Sequence, residues 1–131
     1  MGARKHIRAQ QLKEARKSQY VARLRNCPTS PRKMRLVADM VRGMEVEKAL
    51  YVLKYSPQDA ARRLYKLVQS AVANWQVKNE GSRLEEASLY IKTIAIDSGR
   101  MLKRIQPAPQ GRAHRVRKRS NHVTVEIANR D

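Results

Sequence analysis

Two segments with strand-like alternation, residues 87–97 and 121–128, are separated by about 21 residues that carry eight Lys and Arg, no acid and little apolar material. A compact antiparallel hairpin closes with two to five loop residues, so a tight turn between these strands is excluded. Pro107, Pro109 and Gly111 lie near the middle of the run, where a chain reversal belongs. Residues 99–119 therefore read as an extended two-stranded arm that folds back on itself. Roughly ten residues a side would give it a reach of about 30 Å at ~3.3 Å per residue. A lone ribbon without an apolar face is marginal in water, so the arm is expected to be poorly ordered until it lies against a partner. A flexible basic linker is the plainer alternative.

The charge says what kind of partner. The 131 residues hold 29 Lys and Arg against 11 Asp and Glu, a net charge of +18. Of this excess, +8 falls in residues 99–119 and +7 in residues 1–25. Self-repulsion concentrated in this way calls for an anion to offset it, most often nucleic acid. Arg outnumbers Lys six to two in the arm, and the planar guanidinium fork suits ordered phosphate contacts. The arm has no aromatic residue, which favours backbone and shape recognition over base stacking. A second cluster, Arg32, Lys33, Arg35 and Arg42, surrounds a helix whose N-terminal N–H groups can also face a phosphate. As a lone signal it is weak. His122 sits on the polar face of the last strand, where a phosphate or 2′-hydroxyl contact competes with plain exposure. Residues 1–19 read as a basic N-terminal extension, either a solvated tail or a further contact.

The remainder reads as one α+β domain over residues 20–131, with three helices on one face of a small antiparallel sheet. Residues 20–27 alternate as a short strand, with Tyr20, Ala22 and Leu24 on one side. Ser30-Pro31 starts a helix carrying Met34, Val37, Ala38 and Val41 at helical spacing, and Gly43 can end it. Val46, Ala49, Leu50 and Leu53 repeat the pattern. Ser56-Pro57-Gln58-Asp59 has the shape of a capping box before a long helix striped by Leu64, Val68, Ala71 and Trp75. Trp75 and the tyrosines of the helical part are expected in or beside the core. Residues 87–97 suggest a strand apolar on both faces, and 121–128 one buried on a single face through Val123, Val125 and Ile127.

Little here resembles catalysis. The arm has no carboxylate, and His6, His114 and His122 are far apart and lack a metal-binding motif. Cys27, the one cysteine, reads as a small buried residue rather than a nucleophile. The longest apolar run, Ala49 to Leu53, is too short for a membrane span or a secretory signal. The chain is expected to be no enzyme, with no cofactor, no metal and no membrane partner.

Two motifs give the chain a family resemblance. The run from Ser30 to Gly43, SPRKMRLVADMVRG, resembles the first-helix signature of the large ribosomal subunit protein twenty-two family. Lys103-Arg104-Ile105, Pro107, Gly111-Arg112-Ala113, Arg115, Lys118-Arg119 and His122-Val123-Thr124-Val125 resemble its long hairpin and closing strand. The resemblance covers roughly residues 20–130. It implies a cytoplasmic, non-enzymatic constituent of the large ribosomal subunit that binds 23S-type ribosomal RNA and helps the subunit assemble. Neighbouring subunit proteins and the nascent polypeptide would be its other partners, and no homo-oligomer is expected. On that basis Arg32, Lys33, Arg35, Arg42, Arg100, Lys103, Arg104, Arg112, Arg115, Arg117, Lys118, Arg119 and His122 are the expected RNA contacts. Pro107, Ala108, Pro109, Gln110, Gly111 and Arg112 would form a tip facing the exit tunnel. Family tips commonly carry cations near the proline and before the glycine, but this chain has Ala108 and Gln110 there, leaving Arg112 as the only charge of the turn. Two other classes share so basic a composition, DNA-architectural proteins with proline-tipped arms and RNA chaperones with disordered tails. Comparative binding to structured ribosomal RNA, duplex DNA and single strands at matched salt would separate the three.

Overall fold

The computed structural model describes residues 3–83 and 87–130. The elements run α1 (Ala3–Lys17), β1 (Tyr20–Cys27), α2 (Pro31–Val41), α3 (Val46–Tyr55), α4 (Asp59–Lys78), β2 (Leu89–Ser98), β3 (Leu102–Pro107), β4 (Ala113–Lys118) and β5 (Asn121–Asn129). They form an α+β fold with two antiparallel sheets, one ordered β1-β5-β2 and the other made of β3 and β4 alone.

The core lies between the first sheet and α2, α3 and α4. β5 is its central strand, and Val123, Val125 and Ile127 are buried on alternate positions. α2 contributes Met34, Val37, Ala38 and Val41, α3 contributes Val46, Ala49 and Leu53, and α4 contributes a stripe from Ala60 to Trp75. These are the helical spacings read from the sequence, and burial of the stripes is what holds the helices down. Trp75 closes the far end of the core. Its indole N–H donates to Asn129 Oδ1 at 3.1 Å, and the Tyr20 ring meets it edge-on at 6.5 Å. Cys27 is buried, as a small apolar residue would be.

Four local expectations change. The stretch 1–19 holds a helix, α1, that buries no residue, so the described residues form four helices, of which the last three pack on the sheet. The capping box at Ser56 does not form. Ser56 ends α3, Gln58 precedes α4 without a side-chain cap, and Asp59 pairs with Arg63 at 3.2 Å one turn on. The strand at 89–98 is not apolar on both faces. Its register with β5 shifts between Ile91 and Thr93, and this bulge lets Ile91, Ile94 and Ile96 all enter the same core. Finally, Tyr51 and Tyr55 project from α3 at 64% and 77% exposure, whereas Tyr20 and Tyr65 do pack at the edge of the core.

Candidate nucleic-acid interface

β3 and β4 pair in six rungs, from Leu102 opposite Lys118 to Pro107 opposite Ala113. The regular ladder is thus about 20 Å long at ~3.3 Å per residue; the rest of the run 99–119 makes the turn and the junction. At the tip the Ala108 N–H donates to the Arg112 carbonyl at 2.8 Å. Gln110 and Gly111 between them take φ of +63° and +68°, a reversal that Gly111 makes without steric cost and Gln110 makes with some strain.

At the other end the ribbon meets the core through a pinch. The Gly99 N–H donates to the Ser120 carbonyl at 2.8 Å, and the Ser120 hydroxyl donates to the Arg100 carbonyl. A Cβ on Gly99 would stand 2.7 Å from Ser120 Oγ and 3.1 Å from its carbonyl carbon, so any side chain there forces Ser120 to shift. Ser98 pairs with Asn121 and Leu102 with Lys118, which leaves three residues on one strand facing two on the other. That extra residue breaks the ladder and separates the arm from the core sheet.

The ribbon is basic on both sides. Lys103, Ile105 and Pro107 share a face with their partners Arg117, Arg115 and Ala113. Leu102, Arg104 and Gln106 share the other with Lys118, Val116 and His114. Lys103 directly opposes Arg117, a like-charge pair that costs up to about 1 kcal/mol in water. Among the described residues none of the eight arm cations is in an ion pair, whereas cations on the core pair with Asp39, Glu45, Asp59 and Glu126. Ile105 and Leu102 are 76% and 53% exposed, and Val116 is the one half-buried residue of the two strands, so the ribbon has little apolar packing of its own. What remains is a thin, two-sided polycation whose guanidinium groups make no ion pair among the described residues, Arg104 alone donating to a carbonyl, that of Lys103, at 2.9 Å; such forks suit phosphates.

The cluster on α2 divides. Arg32 and Lys33 are exposed at the end where the helix presents its free N–H groups. Arg35 instead donates to the Ile96 carbonyl at 3.1 Å, and Arg42 donates to the Ile94 carbonyl at 2.7 Å and to Asp39 at 3.0 Å. Seven residues apart, these two lie on one face of α2 and clamp the outer edge strand, blunting a sheet edge that would otherwise offer its carbonyls to another chain. Sequence reasoning missed this role; the spacing of seven was its only trace. His122 is likewise engaged. Its Nδ1 accepts the backbone N–H of Asn26 at 3.0 Å, and Asn26 stands at φ +53° where Arg25 and Asn26 bulge out of β1. With Nδ1 taken by this bond, Nε2 is the ring nitrogen left for another partner.

The chain is similar to known proteins along most of its length. The sequence profile of the family described as Ribosomal protein L22p/L17e matches residues 22–128, from β1 to the end of β5. The chain belongs to that family. Among its relatives, a large ribosomal subunit protein uL22 from Christiangramia forsetii is 65% identical over 127 residues, covering 97% of this chain and 94% of that protein. Proteins of the same name from Flavobacterium psychrophilum and Bacteroides fragilis are 61% and 58% identical, over 97% and 99% of this chain. As an L22p/L17e protein the chain is a structural, non-enzymatic constituent of the large ribosomal subunit. The profile begins after α1, so the helix is outside the family's shared part, although these relatives match along most of it.

Proposed function

We propose that this L22p/L17e protein is anchored in 23S-type ribosomal RNA by its arm, assists assembly of the large subunit, and presents the tip Pro107–Arg112 to the nascent polypeptide in the exit tunnel. The observation that carries the reading is the two-sided ribbon of unpaired cations with no apolar face. A ribbon lying on a flat surface would need charge on one side only. Cations on both sides suit a strand pair enclosed by phosphates, with Arg100, Lys103, Arg104, Arg115, Arg117, Lys118 and Arg119 as contacts along it. Arg32 and Lys33 add contacts at the α2 end, while Arg35, Arg42 and His122 hold the fold there and reach RNA only with what their bonds leave free. The tip has one cation, Arg112, and its prolines stiffen the backbone without donating hydrogen bonds; it shapes the tunnel wall. The protein works as a single copy in cytoplasmic ribosomes, beside neighbouring subunit proteins.

The test is the salt dependence of binding to structured 23S-type RNA. Affinity falls by orders of magnitude between low and physiological salt when many phosphates are neutralised. Replacing Arg117, Lys118 and Arg119 together with Gln should flatten the log–log slope by about 2 to 3. An unchanged slope means that these side chains face water.

A further inference from the structure

We propose that α1, with the crevice at its root, is a second RNA-binding element that acts independently of the arm. Burial does not hold this helix in place. None of its residues is buried, and a 15-residue helix without packing is marginal in water. Arg16 and Lys17 in the last turn suit the helix dipole, but the charges of the N-terminal half oppose it. Arg4, Lys5 and Arg8 crowd the N-terminal end, with no acid in the first turn, against the helix dipole. Arg4–Arg8 and Lys13–Lys17 are like-charge pairs at i,i+4 spacing, and Glu14 is the single acid. Each of these penalties reverses in sign when a line of negative charge lies alongside.

The distribution of residues says that the partner is a polyanion and not a protein. At about 100° per residue, Arg4, Lys5, Arg8, Lys13 and Arg16 spread over one half of the helix circumference, and Lys17 lies about 40° beyond its edge. Ile7, Gln10 and Glu14 occupy the other. The two large apolar residues, Ile7 and Leu12, are about 140° apart, so no apolar stripe exists for a protein interface to bury.

The root fixes the direction of approach. Lys78, at the end of α4, donates to the Lys17 and Gln19 carbonyls at 3.0 and 2.6 Å, capping the C-terminus of α1, and its ammonium lies 5.4 Å from the centre of the Tyr20 ring. Beside it an open crevice of about 570 Å³ is lined by Arg16 from α1, Arg23 from β1 and Lys78 and Asn74 from α4, together with Val21 and the exposed Val77. Three cations from three elements converge there, and among the described residues none is in an ion pair. This crevice seats a phosphate of an RNA strand, and the strand continues along the basic half of α1.

The inference rests on ribosomal RNA being the polyanion, and the experiment separates the two claims. Salt slopes for binding of structured 23S-type RNA are measured with the full chain, with Arg4→Gln/Lys5→Gln/Arg8→Gln/Lys13→Gln, with the arm triple variant, and with both sets combined. Since α1 buries nothing, the quadruple variant keeps the core. It should lower the slope by about 3, at roughly 0.7 to 0.9 per charge, and the combined variant should lose the sum. Hydroxyl-radical footprinting of the RNA should show the same protected stretch weakened by the quadruple variant and by Arg23→Gln alone. A slope flattened by the arm variant but unchanged by the α1 variant overturns the second element and leaves the arm reading intact. No flattening by either overturns both. Footprints lost at unrelated positions overturn the single-strand path, and an intact slope with loss of a crosslink to a protein neighbour assigns α1 to a protein instead.

Discussion

Gly99, Asn26 and His122 carry more of the design than their size suggests. At Gly99 the obstacle to any side chain is the Ser120 backbone as well as its hydroxyl. Gly99→Ala should therefore open the pinch and destabilise the protein by about 1 to 3 kcal/mol, measured by chemical denaturation. Adding Ser120→Ala in the same chain removes the nearest atom but not the backbone contact, so it should restore only part of the loss. His122→Leu tests a different assignment. If the imidazole serves the β1 bulge, the substitution removes the partner of the exposed Asn26 N–H and should cost about 0.5 to 1.5 kcal/mol, with the RNA salt slope unchanged. A stable variant with a flatter slope would return His122 to the list of RNA contacts. Neither role was legible in sequence, because both depend on which residue stands opposite across the sheet.

Among the elements, those whose order comes from burying a stripe were legible, and those ordered by something else were not. The periodicities of α2, α3, α4 and β5 report core burial directly, and each was placed close to its observed span. The bulge in β2 is invisible to periodicity alone, because it exists only relative to the register with β5; without it, three isoleucines appear to point two ways. Ser56 resembles a cap in sequence, but α3 runs up to it and uses it as its own end. α1 has no stripe, so a helix could not be read from it. The edge clamp gives the prediction at this scale. Arg35→Gln with Arg42→Gln shortens both side chains away from the Ile96 and Ile94 carbonyls and should cost about 1 to 3 kcal/mol, with faster amide exchange along β2 than along β5. For comparison, Leu64→Ala in the middle of α4, fully buried, should cost about 2 to 5 kcal/mol. If the arginine pair costs nothing, the two side chains are available to RNA and the clamp is incidental.

For the whole molecule, the separation of the two sheets divides the labour. The core sheet holds the fold, and the arm ladder shares no hydrogen-bonded rung with it. Replacing Pro107–Gly111 by a Gly-Ser stretch of equal length should leave incorporation into large subunits nearly unchanged, since the cations along the arm remain. The same change should alter peptide-dependent stalling or the response to tunnel-binding antibiotics. Purified subunits containing only the variant would be quantified for the protein and assayed for stalling; poor incorporation with normal stalling would make the tip an anchor. The pinch at Gly99 and Ser120 has a consequence for how such arms can change in length. Beyond it, every rung is bonded only to the rung across and the rungs beside it, so insertions and deletions in the arm leave the core untouched. Their size is not arbitrary, however. Removing one residue from each strand exchanges the two faces for everything distal to the cut, whereas removing two from each preserves them. The arm can therefore lengthen or shorten in steps of about 7 Å with its pattern intact, and odd steps would arrive with Arg112 and the prolines turned to the opposite side.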